Sequence, residues 1–399
     1  MPVPLFDDED GAQLALLKGT QAFEPARVML GERQSTWRDV IRPLCLSHPV
    51  FFNQTLFTLP RWYWAYGIVS SRAFSGPSAE SQATAGAENV HASDSTSARG
   101  LRASSGLSLV PVLDIADHAP SPASRRELST IVHTTLAKGA KEQDKRGQKQ
   151  QHGRVVRAAF AQQPGETWFN DYGALTSSKL LLMYGFVLDP EVMANPDDRY
   201  TLSWTLPVRR SGEKRGSRIS VSRRQRELLL RHGLAIDAPR EDNVAQGGRD
   251  QGVDGDALIA TFELRRGELD DRLVRFLRIF GLSAREAKAG GGGDSDANGT
   301  DCNAERTILQ GAAVSLRSEH RACRHLIFSV LQVLRQLPVL PAELTLAKDP
   351  GAMEYNFGFS DLANKTLLKY RAEQRSLLEA NVKLAEGMWR RLLRSADVS

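Results

Sequence analysis

The chain has few of the residues that stabilise small secreted domains or membrane proteins. It has only three cysteines in 399 residues, Cys45, Cys302 and Cys323, which lie far apart with no CxxC pair. This spacing argues against a disulfide framework and a structural zinc site, and it favours a reducing compartment, the cytosol or the nucleus. No run approaches the roughly 18 apolar residues of a membrane span. Residues 1–11 are acidic where a signal peptide would be basic and then apolar. We therefore expect no membrane partner.

Composition separates globular segments from polar ones. Residues 1–74 have a globular composition, whereas residues 75–106 are rich in Ser, Ala and Gly, with Val90 and Leu101 as their only large aliphatic residues. So few apolar side chains cannot offset the entropy of ordering, and this predicts a disordered insert. Residues 137–153 are a second polar insert, which we interpret as a surface loop.

Beyond Pro190 the pattern becomes helical and basic, with Gly/Asp-rich linkers at 239–256 and 287–304. This predicts two domains, residues 1–189 and residues 190–399, of which the second is all helical.

The two clearest predicted helices are Ala313–Leu337, which ends before Pro338, and Asp361–Leu393. Apolar residues on one face of the first are Leu316, Cys323, Leu326, Ile327, Val330, Leu334 and Leu337. Those of the second are Leu367, Leu368, Leu377, Leu378, Val382, Leu384 and Met388. Each pattern repeats at helical spacing and predicts a buried stripe.

One segment, Asp294–Glu305, fits the calcium-loop pattern D-x-[DN]-x-[DN]-G-x5-E. Its candidate ligands are Asp294, Asp296, Asn298, the carbonyl of Thr300 and Glu305. Four glycines, residues 290–293, stand where an entering helix would have to end, and glycine disfavours helix. We therefore interpret the segment as a solvated acidic linker and expect no calcium. No other metal-ligand spacing occurs among the histidines.

A basic tract has only Glu213 and Glu227 as acidic residues. Its cations are Arg209, Arg210, Lys214, Arg215, Arg218, Arg223, Arg224, Arg226 and Arg231. Two interpretations are open, a nucleic-acid or nuclear-import patch and a solvated loop and helix face. No aromatics for base stacking are interleaved, and the last turns alternate with leucines, so the second is favoured. We expect no nucleic-acid partner.

The most informative stretch is Glu166–Leu188. It contains Asp171-Tyr172-Gly173 and, twelve residues later, Tyr184-Gly185-Phe186, which bracket a short helix-like run. Together with Leu109–His118 (LVPVLDIADH), this stretch resembles the C-terminal half of a SET domain in the Rubisco large-subunit methyltransferase-like family. The resemblance implies an α+β fold, an incomplete SET-type β-fold with a helical insertion followed by an all-α substrate-binding domain. It also implies methyl transfer from S-adenosylmethionine (AdoMet) to a lysine side chain of a protein substrate.

The resemblance extends over most of the chain except its inserts. The segment Leu17–Thr20 resembles the family's linker within the helical insertion, and Tyr63–Phe74 resembles the helix that carries a Ser/Thr-Arg pair into the cofactor site. Roughly the last 200 residues resemble the helical substrate-binding domain. Family members begin their SET domain with strands that carry a Gly-x-Gly loop for the methionine end of AdoMet. Only about sixteen residues precede Leu17 here, and none forms such a loop. We therefore expect this chain to correspond to a SET domain without its N-terminal half.

Residue roles are implied only through this resemblance. Tyr172 would be catalytic, its hydroxyl orienting the attacking nitrogen, while Tyr184 and Phe186 would complete an aromatic channel that also contacts AdoMet. Arg72 would pair with the AdoMet carboxylate through its planar fork. Phe74, with Tyr184, would contact the substrate, and an aromatic residue there favours lysine over histidine as acceptor.

Asp117 and His118 would contact the cofactor where the family usually has Asn-His. Aspartate lacks the N–H donors of the asparagine amide. Burying its charge is also costly unless the carboxylate is paired or protonated. Without the resemblance, each residue has a structural explanation, such as a core histidine or a strand-end tyrosine. The alternative function is a non-catalytic protein-binding remnant of such an enzyme, and AdoMet binding discriminates between the two.

Overall fold

The protein is described from a computed structural model. The described residues are 11–75, 107–109, 117–118, 135–136, 154–155, 164–165, 169–170, 172–188, 194–208, 220–238, 257–283, 286–287, 304–340 and 359–396. The chain divides into two compact units. The first comprises Met1–Leu14, Pro25–Asp197 and Phe357–Thr366, and the second comprises Ala15–Glu24, Asp198–Asn356 and Leu367–Ser399.

Several predicted segments lie outside the described residues. These are nearly all of the insert 75–106, the insert 137–153, the linker 239–256 and most of the linker 287–304. The predictions of a disordered insert at 75–106, a surface loop at 137–153 and two linkers stay predictions, as does the domain boundary between residues 189 and 190.

The described part of the chain up to Leu188 contains short helices, two π-helical turns and short strand pairs. Its helical elements are α1 (Ala12–Leu16), α2 (Phe23–Thr36), π1 (Trp37–Ile41), α3 (Arg42–Ser47), α4 (Leu59–Arg72), α5 (Ser177–Lys179) and π2 (Leu180–Tyr184). Its strands are β1 (Ala73–Ser75), β2 (Leu107–Leu109), β3 (Asp117–His118), β4 (Thr135–Leu136), β5 (Arg154–Val155) and β6 (Phe169–Asn170). Strands β1 and β2 pair antiparallel, as do β4 and β5, whereas β3 and β6 pair parallel.

Helix α4 begins with Pro60 in its first turn, where the missing N–H costs no hydrogen bond. It buries Tyr63, and the indole N–H of Trp62 donates to the carbonyl of Arg33 on α2 at 3.3 Å. The guanidinium of Arg33 lies 4.5 Å from the ring centre of Tyr66. These contacts hold α4 against α2. The helix predicted over Tyr63–Phe74 is shorter at its end, because Ala73 is already extended and Phe74 lies in β1.

The second unit contains the main hydrophobic core. Its strands are β7 (Arg199–Pro207), β8 (Ile236–Asp237) and β9 (Ala257–Arg265), and its helices are α6 (Arg223–Arg231), α7 (Asp271–Gly281), α8 (Ala304–Leu309), α9 (Leu316–Gln336) and α10 (Phe359–Ala396), the first residues of which belong to the first unit. The strand order is β7-β9-β8, with both pairs antiparallel.

The prediction of an all-helical region beyond residue 190 is wrong. Strand β7 reads RYTLSWTLP and β9 reads ALIATFELR, and in both the buried residues alternate with exposed ones. That alternation has the period of a half-buried antiparallel strand. The basic tract and a glycine-rich segment separate the two strands in the sequence, so their pairing could not be predicted from local patterns.

Contacts between aromatic side chains join this sheet to α7. Phe276 lies 4.8 Å from Phe262 and 5.2 Å from Trp204, measured between ring centres, and its other neighbour is Phe280 at 5.9 Å. The indole N–H of Trp204 donates to the hydroxyl of Ser329 on α9 at 2.8 Å, so the buried polar atom is satisfied. Sheet, α7 and α9 therefore share one core.

The predicted C-terminal helices are confirmed. Helix α9 starts at Leu316 because Ser315 caps it, with its hydroxyl accepting the Ser318 N–H at 3.1 Å. Cys323, Leu326 and Val330 are buried as predicted. The prediction for Leu316 is wrong, since this side chain is exposed in the first turn, ahead of the buried stripe.

The N-terminal segment around Gly19 belongs to the second unit. Arg371 on α10 is buried and donates to the carbonyls of Leu16 at 2.8 Å, Lys18 at 2.7 Å and Pro338 at 2.9 Å. Gly19 has φ +81°, and a Cβ there would lie 2.2 Å from the carbonyl oxygen of Gln336. Glycine is therefore required at this position for both conformation and space.

Glu305, the last candidate ligand of the calcium pattern, lies at the start of α8 and faces α6. Its carboxylate contacts Arg231 at 3.2 Å and the imidazole of His232 at 2.9 Å. Burial acts to raise the pKa of Glu305, but hydrogen bonds with His232 and Arg231 outweigh it and hold the pKa below its usual range. The rest of the calcium pattern, apart from Ala304, lies outside the described residues.

The described end of the basic tract is an amphipathic helix. Leu228 and Leu229 of α6 are buried, while Arg224 and Arg226 pair with Glu227 at 3.1 Å and Asp237 at 2.6 Å. This favours the interpretation of α6 as an ordinary helix face; residues 209–219 lie outside the described part.

Candidate functional site

Four aromatic side chains of the first unit form a contiguous cluster. The ring centre of Tyr172 lies 4.9 Å from that of His118 and 4.5 Å from that of Tyr184, with interplanar angles of 21° and 28°. Phe186 lies 6.3 Å from His118 and 6.4 Å from Tyr184. Four residues from two distant parts of the sequence are thus brought together, and we refer to them as the ring cluster.

Strand pairing brings His118 next to Tyr172. His118 lies opposite Asn170 in the parallel pair of β3 and β6, and Tyr172 follows two residues later. The backbone N–H of Tyr172 donates to Nδ1 of His118 at 3.2 Å. Because Nδ1 accepts this bond, Nδ1 is not protonated. In the neutral ring the proton is therefore on Nε2. His118 is buried, so its side chain acts here by fixing the backbone and ring of Tyr172.

A tight helical segment positions Tyr184 against Tyr172. The hydroxyl of Thr176 accepts the N–H of Lys179 at 3.2 Å and caps the first turn. The helix then widens into π2, and Gly185, with φ +77°, ends it through its N–H bond to the carbonyl of Leu181. Short π-helical turns are frequent at functional sites because they re-aim side chains. The helix-like run predicted from the sequence is confirmed, and its π form was not foreseen.

Asn195 donates hydrogen bonds to the loop between the two tyrosines. The sequence did not identify it as a site residue. It is only 4% exposed, and its amide donates to the carbonyl of Leu175 at 3.0 Å and the hydroxyl of Ser177 at 3.1 Å. Its oxygen accepts the N–H of Asp197 at 3.0 Å. The sequence signal was Asn-Pro-Asp-Asp, a turn pattern that does not reveal the long-range bonds.

Burial raises the pKa of the Tyr184 phenol. Its hydroxyl is therefore protonated at neutral pH and can both donate and accept a hydrogen bond. The faces of aromatic rings carry negative potential and attract cations, including ammonium groups. The ring cluster is chemically suited to a cationic or methylated group.

The remaining predicted site residues lie on neighbouring elements. Arg72 is the last residue of α4, and α4 packs against π2, which carries Tyr184. Phe74 lies in β1 opposite Ser108 of β2. Asp117 lies in β3 opposite Phe169. The structure thus describes the backbone of Phe74 and Asp117, and the roles assigned to all seven residues stay predictions.

No group of His, Cys, Asp and Glu side chains able to hold a metal ion occurs within the part of the chain that the structure describes. Over the same residues, no helix is long and apolar enough to cross a membrane.

No protein-family model matches the sequence, and no curated protein matches it. Solved structures that it resembles include the SET domain of LSMT bound to lysine and AdoHcy, at 17% identity over 96% of this chain and 67% of that chain, with a TM-score of 0.48. A second is Rubisco LSMT bound to AdoMet, at 17% identity over 98% of this chain and 69% of that one, with a TM-score of 0.48. At these values the likeness does not by itself assign a function to the chain.

Proposed function

We propose that the chain is an AdoMet-dependent protein-lysine N-methyltransferase. The observation that supports this most is the ring cluster, in which Tyr172, Tyr184, His118 and Phe186 lie in contact. The resemblance of the sequence to the SET family assigns those same four positions to the cofactor and the lysine channel. Such a channel needs an aromatic surface for a cation and hydrogen-bonding groups for an amine. The rings of Tyr172 and Tyr184 supply the first, and their hydroxyls supply the second.

The side chains present fit the charge of AdoMet. Electron-rich ring faces suit its sulfonium, and the planar guanidinium of Arg72 suits its carboxylate. When bound, AdoMet supplies a methyl carbon activated for displacement by a neutral amine. We propose that Arg72, His118, Tyr184 and Phe186, with the backbone at Asp117, hold it.

The role proposed for Tyr172 is to orient the nitrogen of the incoming lysine. Its hydroxyl accepts a hydrogen bond from the amine and aims the nitrogen lone pair, since alignment can contribute about 7–11 kcal/mol to a reaction of this kind. We assign Tyr184 and Phe186 to the apolar wall of the channel and, on the resemblance alone, Phe74 to contact with the substrate. Such a wall disfavours the ammonium form of lysine and so promotes loss of its proton.

The proposed partner is a lysine-containing protein, and the proposed location is the cytosol or nucleus. Cys45 and Cys323 are free and buried, as expected of a protein from a reducing compartment.

One observation favours a second candidate, a non-catalytic protein-binding module. Tyr172 and Tyr184 stack on each other at 4.5 Å, so the facing sides of their rings are covered and leave no room for a side chain between them. The two candidates differ in whether the chain binds AdoMet and whether the stacked rings separate when it does.

Titration calorimetry with AdoMet separates the candidates, because the methyltransferase binds it and the module does not. Arg72→Met should weaken binding, while Arg27→Met, an exposed arginine on α2, is the matched control. Activity is then measured as incorporation of labelled methyl into a protein extract, followed by hydrolysis and detection of N-methyl-lysine. Labelled methyl groups found on histidine would show that the acceptor is histidine and not lysine. A chain that does not bind AdoMet would support the non-catalytic protein-binding module.

A further inference from the structure

Exposed apolar side chains are concentrated in one short region of the first unit. Of the eighteen large apolar side chains that are exposed in the described part of the chain, nine lie between Val40 and Val69. The two most exposed are neighbours in the turn after α3, Val50 at 91% and Phe51 at 79%. Leaving them in water is unfavourable, and clustered exposure of this kind marks a contact surface.

The turns that carry these side chains are ordered by their own hydrogen bonds. The carbonyl of His48 accepts the N–H groups of Phe51 at 3.1 Å and Phe52 at 3.0 Å. A second turn follows, in which the carbonyl of Asn53 accepts the N–H groups of Leu56 and Phe57 at 2.9 Å each. The two turns are joined by an edge-to-face contact of Phe52 with Phe57 at 5.1 Å. The apolar side chains are thus presented on a preformed backbone.

The start of α4, which follows these turns, carries a cation that contacts them and an exposed aromatic residue. Arg61 reaches back to the carbonyl of Leu56 at 3.4 Å, and Trp64, about half exposed, lies one helical turn further on. We refer to the exposed side chains of Val50, Phe51, Leu56, Phe57 and Trp64 as the α3–α4 surface.

The sequence segment that carries this surface has charges of one sign. Between Asp39 and Glu80 the sequence has no acidic residue, while Arg42 and Arg61 flank the apolar side chains. A segment of apolar residues and arginines without a carboxylate is complementary to a surface that is negatively charged outside and apolar within.

We propose that the α3–α4 surface docks on an anionic phospholipid membrane. The apolar side chains of the turns enter the boundary between headgroups and acyl chains, and the arginines contact lipid phosphates. A bilayer is favoured over a peptide partner because adjacent residues of one turn, Val50 and Phe51, both project far into solvent, whereas a bound peptide needs a concave groove. This proposal revises the sequence-based expectation of no membrane partner, which was argued from the lack of a spanning segment and of a signal peptide; peripheral docking needs neither.

The direct test is sedimentation of the full chain with vesicles of phosphatidylcholine alone or mixed with phosphatidylserine. Wild type should sediment with the mixed vesicles and far less with the neutral ones. Phe51→Asp should weaken binding about tenfold or more, since it removes an inserted aromatic and adds a repelled charge. The matched control is Phe328→Asp, which changes an exposed phenylalanine on α9 and should bind like wild type.

Arginine variants separate docking at this surface from general attraction of a cationic protein. Arg61→Ala should weaken binding about fivefold, the effect of one cation near an anionic surface, whereas Arg223→Ala on α6 should have no comparable effect. Trp64 fluorescence should shift to the blue on binding, and the shift should be absent from Trp64→Phe.

Three results would overturn the proposal: no preference of wild type for phosphatidylserine vesicles, equal loss in Phe51→Asp and Phe328→Asp, or saturation of the surface by an acidic amphipathic peptide with no vesicle binding. The last would assign the surface to a protein partner. Every readout is independent of methyl transfer.

Discussion

The sheet of the second unit and the ring cluster of the first differ in the number and kind of contacts that hold them. Strands β7 and β9 pair along nine residues each and bury their alternate side chains in a shared core. Strands β3 and β6 pair over only two residues each, and the ring cluster depends on individual hydrogen bonds, one that His118 accepts from the Tyr172 N–H and others that Asn195 donates. We therefore expect the core around the sheet to contribute more to the free energy of unfolding than the ring cluster does, because regions held by few contacts open locally more easily.

The largest loss of stability is expected from the sheet core. Phe276→Ala removes a fully buried ring in contact with Trp204, Phe262 and Phe280, and should lower the free energy of unfolding by about 3–5 kcal/mol. Urea titration measures this, with Phe328→Ala as an exposed control expected within about 0.5 kcal/mol of wild type. Equal losses in both variants would mean that this core does not dominate stability.

The next largest effect is expected at the turn that α9 and α10 enclose. Gly19→Ala combines a left-handed conformation with a backbone clash against Gln336, and should cost about 2–4 kcal/mol. Gly267→Ala is the matched control, because Gly267 has φ +92° with no neighbour within 4 Å and incurs only the conformational cost. If both glycines tolerate alanine equally, the turn is not enclosed as described.

A smaller and more local effect is expected at the ring cluster. Asn195→Ala leaves the carbonyl of Leu175 and the hydroxyl of Ser177 without this donor, at a cost of about 1–3 kcal/mol. Hydrogen exchange should accelerate in π2 and stay unchanged in β9. The control is Asn53→Ala, which removes an exposed turn asparagine in the same unit, and acceleration in both variants would remove Asn195 from the positioning of the tyrosines.

The smallest stability effect is expected at Glu286 and only in acid. Burial acts to raise the pKa of Glu286, but hydrogen bonds from Ser283 and Ser315, with the charge of Arg321, lower it to about 2. A carboxyl group whose pKa is lowered by folding contributes stability above its unfolded pKa, and that stability is lost as the pH falls toward 2.

The variant Glu286→Gln should therefore be less stable than wild type at neutral pH, and the difference should shrink between about pH 5 and pH 2. Melting temperatures over that range measure it. A difference that stays constant with pH would show that the carboxylate charge contributes nothing.

What the sequence predicted correctly was local. Helix α9 was predictable because its buried residues recur at helical spacing and a proline follows it, and the helical run before Tyr184 was predictable for a similar reason. Strand β7 also carried a local signal, its strict alternation, but this was outweighed by the helical, basic character of the region beyond Pro190.

The rest depends on contacts between residues far apart in the chain. The bonds that the Asn195 amide donates span 18 and 20 residues, and two of the bonds of Arg371 span 353 and 355. Neither set leaves a periodic pattern in the sequence. The stacking of Tyr172 on His118 likewise follows from the pairing of β3 with β6, so the sequence identified the cluster's residues only through resemblance to a family.

The proposed role of Tyr172 is to orient the lysine nitrogen while the methyl group passes directly to it from AdoMet, and the Tyr172→Phe variant tests this role. Loss of one hydroxyl leaves the stacked ring and the fold intact, so stability and AdoMet binding should change little. Turnover should fall about 10²–10³-fold, the usual cost of removing one positioned hydrogen-bonding group from a transition state. The measurement is methyl incorporation from labelled AdoMet at equal cofactor occupancy, with Tyr66→Phe on α4 as the control expected to match wild type. Equal rates for wild type and Tyr172→Phe would contradict the proposed role.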